Sequence, residues 1–123
     1  GFVVQFGISP DPAVSKAWQT ATIKDAPVKK SNTPGTIVFA DAGPQTRTTQ
    51  LFVNLGNNGS NLDGQGFAPF GKVTSGMAVL QKLYGGYGEQ ASNDQQQIQT
   101  QGSAFLRKTF PKLDGIRTAR ILH

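Results

Sequence analysis

Three short apolar runs constrain this chain more than any other feature: FVVQFGI at residues 2–8, TIVFADAG at 36–43 and QLFVNLG at 50–56. Each has the length of a β-strand, carries β-branched or aromatic residues, and is bounded by glycine, proline or polar turn formers. FAPFGKV (67–73) reads as a fourth strand with an irregular start, because Pro69 has no N–H to give a central ladder. GIRTARIL, near the C-terminal end, reads as a closing strand whose Ile116, Ala119 and Ile121 do not alternate cleanly. Helical signals are fewer. Asp11 and Pro12 can open a turn or two over AVSKAW. Ser75 can cap a helix running to about Tyr84, with Met77, Leu80 and Leu83 as its apolar stripe and Gly85-Gly86 as its stop. AFLRKTFPKL allows a helical turn or two before Pro111.

Between these elements lie long polar connections. Residues 9–35 and 85–103 read as long loops, the first pinned to the body by Trp18, the second a Gln-rich excursion that is flexible or pairs with a sheet edge through Ile98. NNGSNLDGQG has the Asn-Gly and Asp-Gly pairs of turns. The pattern as a whole is mainly β, a small barrel or sandwich with short helices and one domain over residues 1–123.

Composition narrows the chemistry. With 123 residues and 37% apolar content the chain can bury a modest core. It has no cysteine, and its one histidine is the last residue, His123, so disulfides, thiolate nucleophiles and His-centred triads or metal sites have no material. No cofactor and no metal is expected. No apolar run approaches the roughly 18 residues of a membrane span. The net charge of +5 gathers partly in the tail, where Arg107, Lys108, Lys112, Arg117 and Arg120 face Asp114 alone. A solvated basic surface accounts for that; no nucleic-acid module accompanies it, so no nucleic-acid partner is expected. The chain opens on GFVVQFG with no Met and no charged leader, as the interior of a longer protein would. Compartment stays open between bacterial cytoplasm, periplasm and an organelle lumen.

Candidate sites follow from the strands and turns. LFVNL places Leu51, Val53 and Leu55 on one face and Phe52 and Asn54 on the other, so the strand is either plain core or the floor of a pocket. Gln50, just before it, can both donate and accept. NLDGQGFAPFG brings Leu62, Phe67 and Phe70 around a Gly-rich turn. Asp41 and Asp63 do not form a credible acid–base pair, GGYG (85–88) lacks the Lys and Ser/Thr of a phosphate loop, and Asn58-Gly59-Ser60 matches a glycosylation pattern without secretory context.

Three segments taken together, GFVVQFG, FADAGPQTRTTQLFVNL and LDGQGFAPFGKVTSGMAVL, resemble the cyclophilin family of peptidyl-prolyl cis-trans isomerases in order and spacing. The tail from Tyr87, YGEQASNDQQQIQTQGSAFLRKTFPKLDGIRTARI, resembles the divergent extension of some bacterial and plant or algal members. The resemblance implies a closed antiparallel β-barrel, here lacking the family's first strands and first helix. It implies isomerisation of X-Pro peptide segments bound in a hydrophobic groove or, as the alternative, a non-catalytic structural or interaction subunit of a larger assembly. By position, Gln5, Gln50 and Phe52 are implied to act on the prolyl bond. Phe2, Val3, Ala40, Asp41, Ala42, Leu62 and Phe67 are implied to bind the peptide, with Asp41 standing where the family usually has Asn. The family's catalytic arginine is expected a few residues before Gly1.

Overall fold

A computed structural model of the chain describes residues 1–122; His123, the histidine singled out above, lies outside them. Four strands, β1 (Val3–Phe6), β2 (Thr36–Phe39), β3 (Leu51–Asn54) and β4 (Gly71–Lys72), form one sheet in the order β1-β3-β2-β4. Every neighbour is antiparallel. The most apolar run, β3, takes an inner position, as burial on both faces requires.

The expectation of a mainly β, closed barrel is corrected here. The sheet is open, β1 and β4 do not pair, and among the described residues helical positions outnumber strand positions. Closing a barrel takes about eight tilted strands with a consistent stagger. Four strands, the last only two residues long, cannot curl that far. Pro69 and Gly71 account for the brevity of β4: one removes a ladder donor, the other has no side chain to pack. The closing strand expected in GIRTARIL is absent too. Residues 114–122 carry no regular structure, and Ile116, Ile121 and Leu122 are exposed.

The helices are α1 (Pro12–Trp18), α2 (Gly59–Leu62) followed by a 3₁₀ turn (Asp63–Gln65), α3 (Met77–Gln81), α4 (Gln90–Asn93), α5 (Gln95–Gln101) and α6 (Ser103–Thr109). In α1 the cap read from sequence forms: Asp11 Oδ1 accepts from the Ala13 N–H at 2.9 Å and Pro12 sits at the first turn, where no N–H is needed. Trp18, expected to pin the loop, is instead 55% exposed. The α3 helix starts after Gly76 rather than Ser75, because Gly76 takes φ 95°, a left-handed conformation that opens the turn.

The Gln-rich stretch that read as a flexible loop forms α4 and α5. Ile98 is the buried residue of α5, and α5 lies against α1. The join is tight at Gly102, whose φ is 64° and whose missing Cβ would collide with the Pro10 carbonyl. The Ser103 N–H donates to that same carbonyl at 3.1 Å. A small aromatic cluster, Tyr84–Tyr87–Phe110–Phe105, packs edge to face with centroids 5.0–6.1 Å apart and anchors α6 and the segment before α4. The central core is Val38, Phe52 and Leu62, with Val3, Ala40 and Phe67 packed on it.

Candidate functional site

Strand register decides which side chains meet. Gln5 and Val38 both lie opposite Phe52, and Val3 lies opposite Asn54. Since side chains alternate along a strand, Val3, Gln5, Val38, Phe52 and Asn54 share one face of the sheet. The pairing continues past β2, where the Ala40 N–H donates to the Gln50 carbonyl at 3.0 Å. Ala40 and Gln50 therefore stand on that face as well. Leu62, at the end of α2, and Phe67, just after the 3₁₀ turn, close over it; the Phe67 ring meets Phe52 edge to face at 5.7 Å.

The result is a cleft of about 210 Å³ lined by Phe2, Val3, Gln5, Ala40, Asp41, Phe52, Leu62, Phe67 and Gln95. Eight of the ten positions singled out from sequence are among these. Gln50 and Ala42 line a second, adjoining cleft of about 370 Å³, whose other walls include Thr46, Thr48, Thr49, Ser15, Gln19 and Gln99. The first cleft has an aromatic and aliphatic floor; the second is walled by hydroxyls and amides.

Two polar networks hold these walls. The first is a row of glutamines along the boundary. Gln5 Nε2 donates to Gln50 Oε1, and Gln50 Nε2 donates to Gln95 Oε1, each at 2.9 Å. Gln50 is thus oriented at both ends, with one amide hydrogen still uncommitted. Gln95 comes from α5 and was missed in the sequence reading, because a Gln-rich stretch gives no sign of the distant strand it will meet.

The second network lies beneath the cleft. Asn32 and Asn54 have no exposed surface, and Asn58 is buried as well. Asn54 Nδ2 donates to Asn32 Oδ1 at 3.0 Å and to Thr36 Oγ1 at 2.9 Å, while Asn54 Oδ1 accepts from Asn58 Nδ2 at 2.8 Å. From the two ends of this chain, Asn58 Nδ2 reaches the Phe2 carbonyl and Asn32 Nδ2 the Phe67 carbonyl, both at 2.9 Å. The backbone behind two facing walls of the cleft is therefore tied through three buried amides, each satisfied, as burial of polar groups demands. Asn58, noted above for its glycosylation pattern, is spent in this network.

Asp63 completes it. Its carboxylate accepts from Ser31 Oγ, from Asn32 Nδ2 at 2.7 Å and from the Asn32 N–H at 2.9 Å. The Ser31 hydroxyl first, then the Asn32 donors, stabilise the ionised form and hold its pKa below the ordinary 3.8. Asp63 is a structural anchor here, joining Ser31 and Asn32 to the turn after α2.

Arg47 is the other residue that sequence reasoning missed. It sits in the polar TRTT loop and is 3% exposed. Its Nε lies 3.3 Å from Asp25 Oδ1, an ion pair without hydrogen-bond alignment, and its Nη2 donates to the Gly66 carbonyl at 3.2 Å. The Ile23 N–H donates to the Arg47 carbonyl at 3.0 Å. One side chain thereby ties the 9–35 excursion to the loop at 43–49 and to the turn before Phe67. At the end of β1, Gly7 takes φ 117° because the Thr49 carbonyl occupies the space of a Cβ; Thr49 Oγ1 donates to the Gly7 carbonyl at 2.8 Å.

Among the described residues no group of three or more His, Cys, Asp or Glu side chains could hold a metal ion, and no helix is long and apolar enough to cross a membrane. Comparison with known proteins gives a consistent answer. The family model described as "Cyclophilin type peptidyl-prolyl cis-trans isomerase/CLD" matches residues 1–103. Peptidyl-prolyl cis-trans isomerase B of Escherichia coli (strain K12) is 32% identical over 92 residues, covering 69% of this chain and 56% of that protein. The chain thus spans little more than half the length of that curated relative.

Proposed function

The chain belongs to the cyclophilin-type peptidyl-prolyl cis-trans isomerase family, and from that premise we propose that its apolar cleft binds X-Pro segments of peptides or proteins and serves their cis-trans isomerisation. One observation carries the reading. Phe2, Val3 and Gln5, Ala40 and Asp41, Phe52, and Leu62 and Phe67 come from four separate stretches of chain and meet around one cleft of a size suited to a proline ring.

The chemistry needs no nucleophile. An X-Pro bond favours trans by only about 0.5–1 kcal/mol, but amide resonance raises the barrier to rotation to about 18–20 kcal/mol. A catalyst lowers it by binding the twisted amide better than either planar form. In the proposed arrangement Phe52, Phe67, Leu62 and Val3 hold the ring while Gln5 and Gln50 position the rotating carbonyl and its neighbours. The family resemblance expects an arginine to donate to the prolyl amide from sequence before Gly1.

A second reading is a cyclophilin-like subunit that binds without turnover; among the described residues the side chains that line the two clefts are not Arg or Lys. Arg47 is committed to Asp25 and Gly66. An isomerisation assay on this chain, and on a version extended upstream through an arginine, separates the two. The isomerase reading expects the extended protein to be faster; equal rates remove the arginine from the account. Binding is tested apart from turnover by titrating proline peptides into wild type and Phe67→Ala. Because Phe67 is only partly buried, this variant keeps the core residues Val38, Phe52 and Leu62. Weaker binding is expected, and an unchanged affinity would sink the cleft assignment.

A further inference from the structure

Four side chains line both clefts: Gln5, Ala40, Asp41 and Gln95. They form the rim over which a peptide seated by its proline in the apolar cleft passes into the polar one. Among the described residues, Asp41 is the only charged side chain lining either cleft; the rest are apolar, hydroxyl or amide groups. Among the described residues its carboxylate has no cationic partner, the one ion pair being Arg47–Asp25. The contact it does make is local: Asp41 Oδ1 accepts from the Gly43 N–H at 3.2 Å. Thr46 Oγ1 also ties this turn, accepting from the Ala42 N–H and donating to the Gly43 carbonyl, so among the described residues Asp41 Oδ2 carries no hydrogen bond.

We infer that the site selects proline peptides bearing a cationic side chain, lysine or arginine, next to the proline, with Asp41 as the specificity-determining residue. The inference rests on the proline-cleft reading above. Its sign runs against the protein as a whole. The formal net charge is +5, so selection by the overall field would favour acidic peptides. That field is screened beyond about 8–10 Å at moderate salt, whereas a carboxylate on the rim acts at contact distance. A fixed anion amid uncharged walls, with no lysine or arginine among the lining residues to neutralise it, therefore sets the local preference. An amide at the same position would offer hydrogen bonds but no charge to discriminate by.

The test uses three peptides with blocked ends and a central proline flanked on both sides by Lys, Ala or Glu, titrated into the full chain and into Asp41→Asn. Asn keeps an Oδ1 acceptor for Gly43, so the turn is preserved. Expected for wild type is the order Lys, Ala, Glu, with the Lys peptide about fivefold tighter than the Ala peptide, the scale of an exposed ion pair. That ratio shrinks as salt is raised, and in Asp41→Asn it falls to about one. Binding of all three peptides with equal affinity, a preference for Glu, or a Lys preference that survives in Asp41→Asn overturns the assignment while leaving the proline cleft standing. Failure of all three to bind wild type removes the cleft reading, and this inference with it.

Discussion

Asn54 donates to Asn32 Oδ1 at 3.0 Å, and neither residue has any exposed surface. One comes from the inner strand β3 and the other from the connection before β2, so the bond locks a loop to the sheet beneath the cleft. Because each amide also serves a second and third partner, the pair is the centre of a network that ends on the Phe2 and Phe67 carbonyls.

Replacing Asn54 with Leu keeps the branching and heavy-atom count, adds some bulk, and removes the partner of Asn32 Oδ1, Thr36 Oγ1 and Asn58 Nδ2. A loss of about 2–4 kcal/mol in unfolding free energy is expected, from the cost of leaving buried polar groups unpaired. Denaturant unfolding measures it, and an Asn32/Asn54 double-mutant cycle should give a coupling of about 1 kcal/mol or more. Additive losses would mean that the two amides act independently.

Acid sensitivity follows from Asp63. Its pKa is lowered in the folded chain by the Ser31 and Asn32 donors, so its contribution to stability is complete above the ordinary value of 3.8 and is lost as pH falls through the lower folded value. Thermal unfolding of wild type and Asp63→Asn across pH 6 to about 2 should show wild type ahead at the upper end and the gap narrowing below 3.8. A gap independent of pH would assign the Asp63 effect to packing instead of charge.

Arg47 links three segments through one buried guanidinium. Arg47→Met retains the apolar stem but abandons Asp25 and the Gly66 carbonyl; a destabilisation of about 2 kcal/mol is expected. Asp25 is 33% exposed and recovers water, which keeps the cost below that of a fully buried pair. Hydrogen exchange should speed at the Ile23 amide, which pairs with Arg47, before it speeds in β3. Uniform acceleration across the sheet would contradict a local role.

Gln95 should matter more to ligand than to fold. Its acceptor orients Gln50, and a hydrogen bond of this kind is worth about 0.5–1.5 kcal/mol. Gln95→Ala is expected to weaken proline-peptide binding by about two- to tenfold, with an unfolding midpoint close to wild type. Peptide affinity that does not move would remove Gln95 from the site.

The three apolar runs were readable as strands because alternation and β-branching are local properties: residues 2–8, 36–43 and 50–56 contain β1, β2 and β3. The α1 cap was legible for the same reason, since Asp11 and Pro12 act on the next two residues. Helices α4 and α5 were not. Glutamine is a fair helix former, but QQQIQTQ has a single buried residue, Ile98, and so no apolar stripe to betray its period. The barrel failed as an expectation because closure depends on how many strands pair and with what stagger, which no single strand encodes.

Taken alone, the sequence determined which chemistry was open to the protein and which side chains share a face. With no cysteine these 123 residues offer no thiolate, and the period of two along QLFVN set Gln50, Phe52 and Asn54 together. Only the tertiary structure decided what covers that face: the open order β1-β3-β2-β4, the buried asparagines behind it, and Gln95 arriving 45 residues away to orient Gln50. A buried or half-buried polar group must find a partner, and in this chain those partners lie far off in sequence. Local pattern can announce the need for a partner, but only packing supplies it.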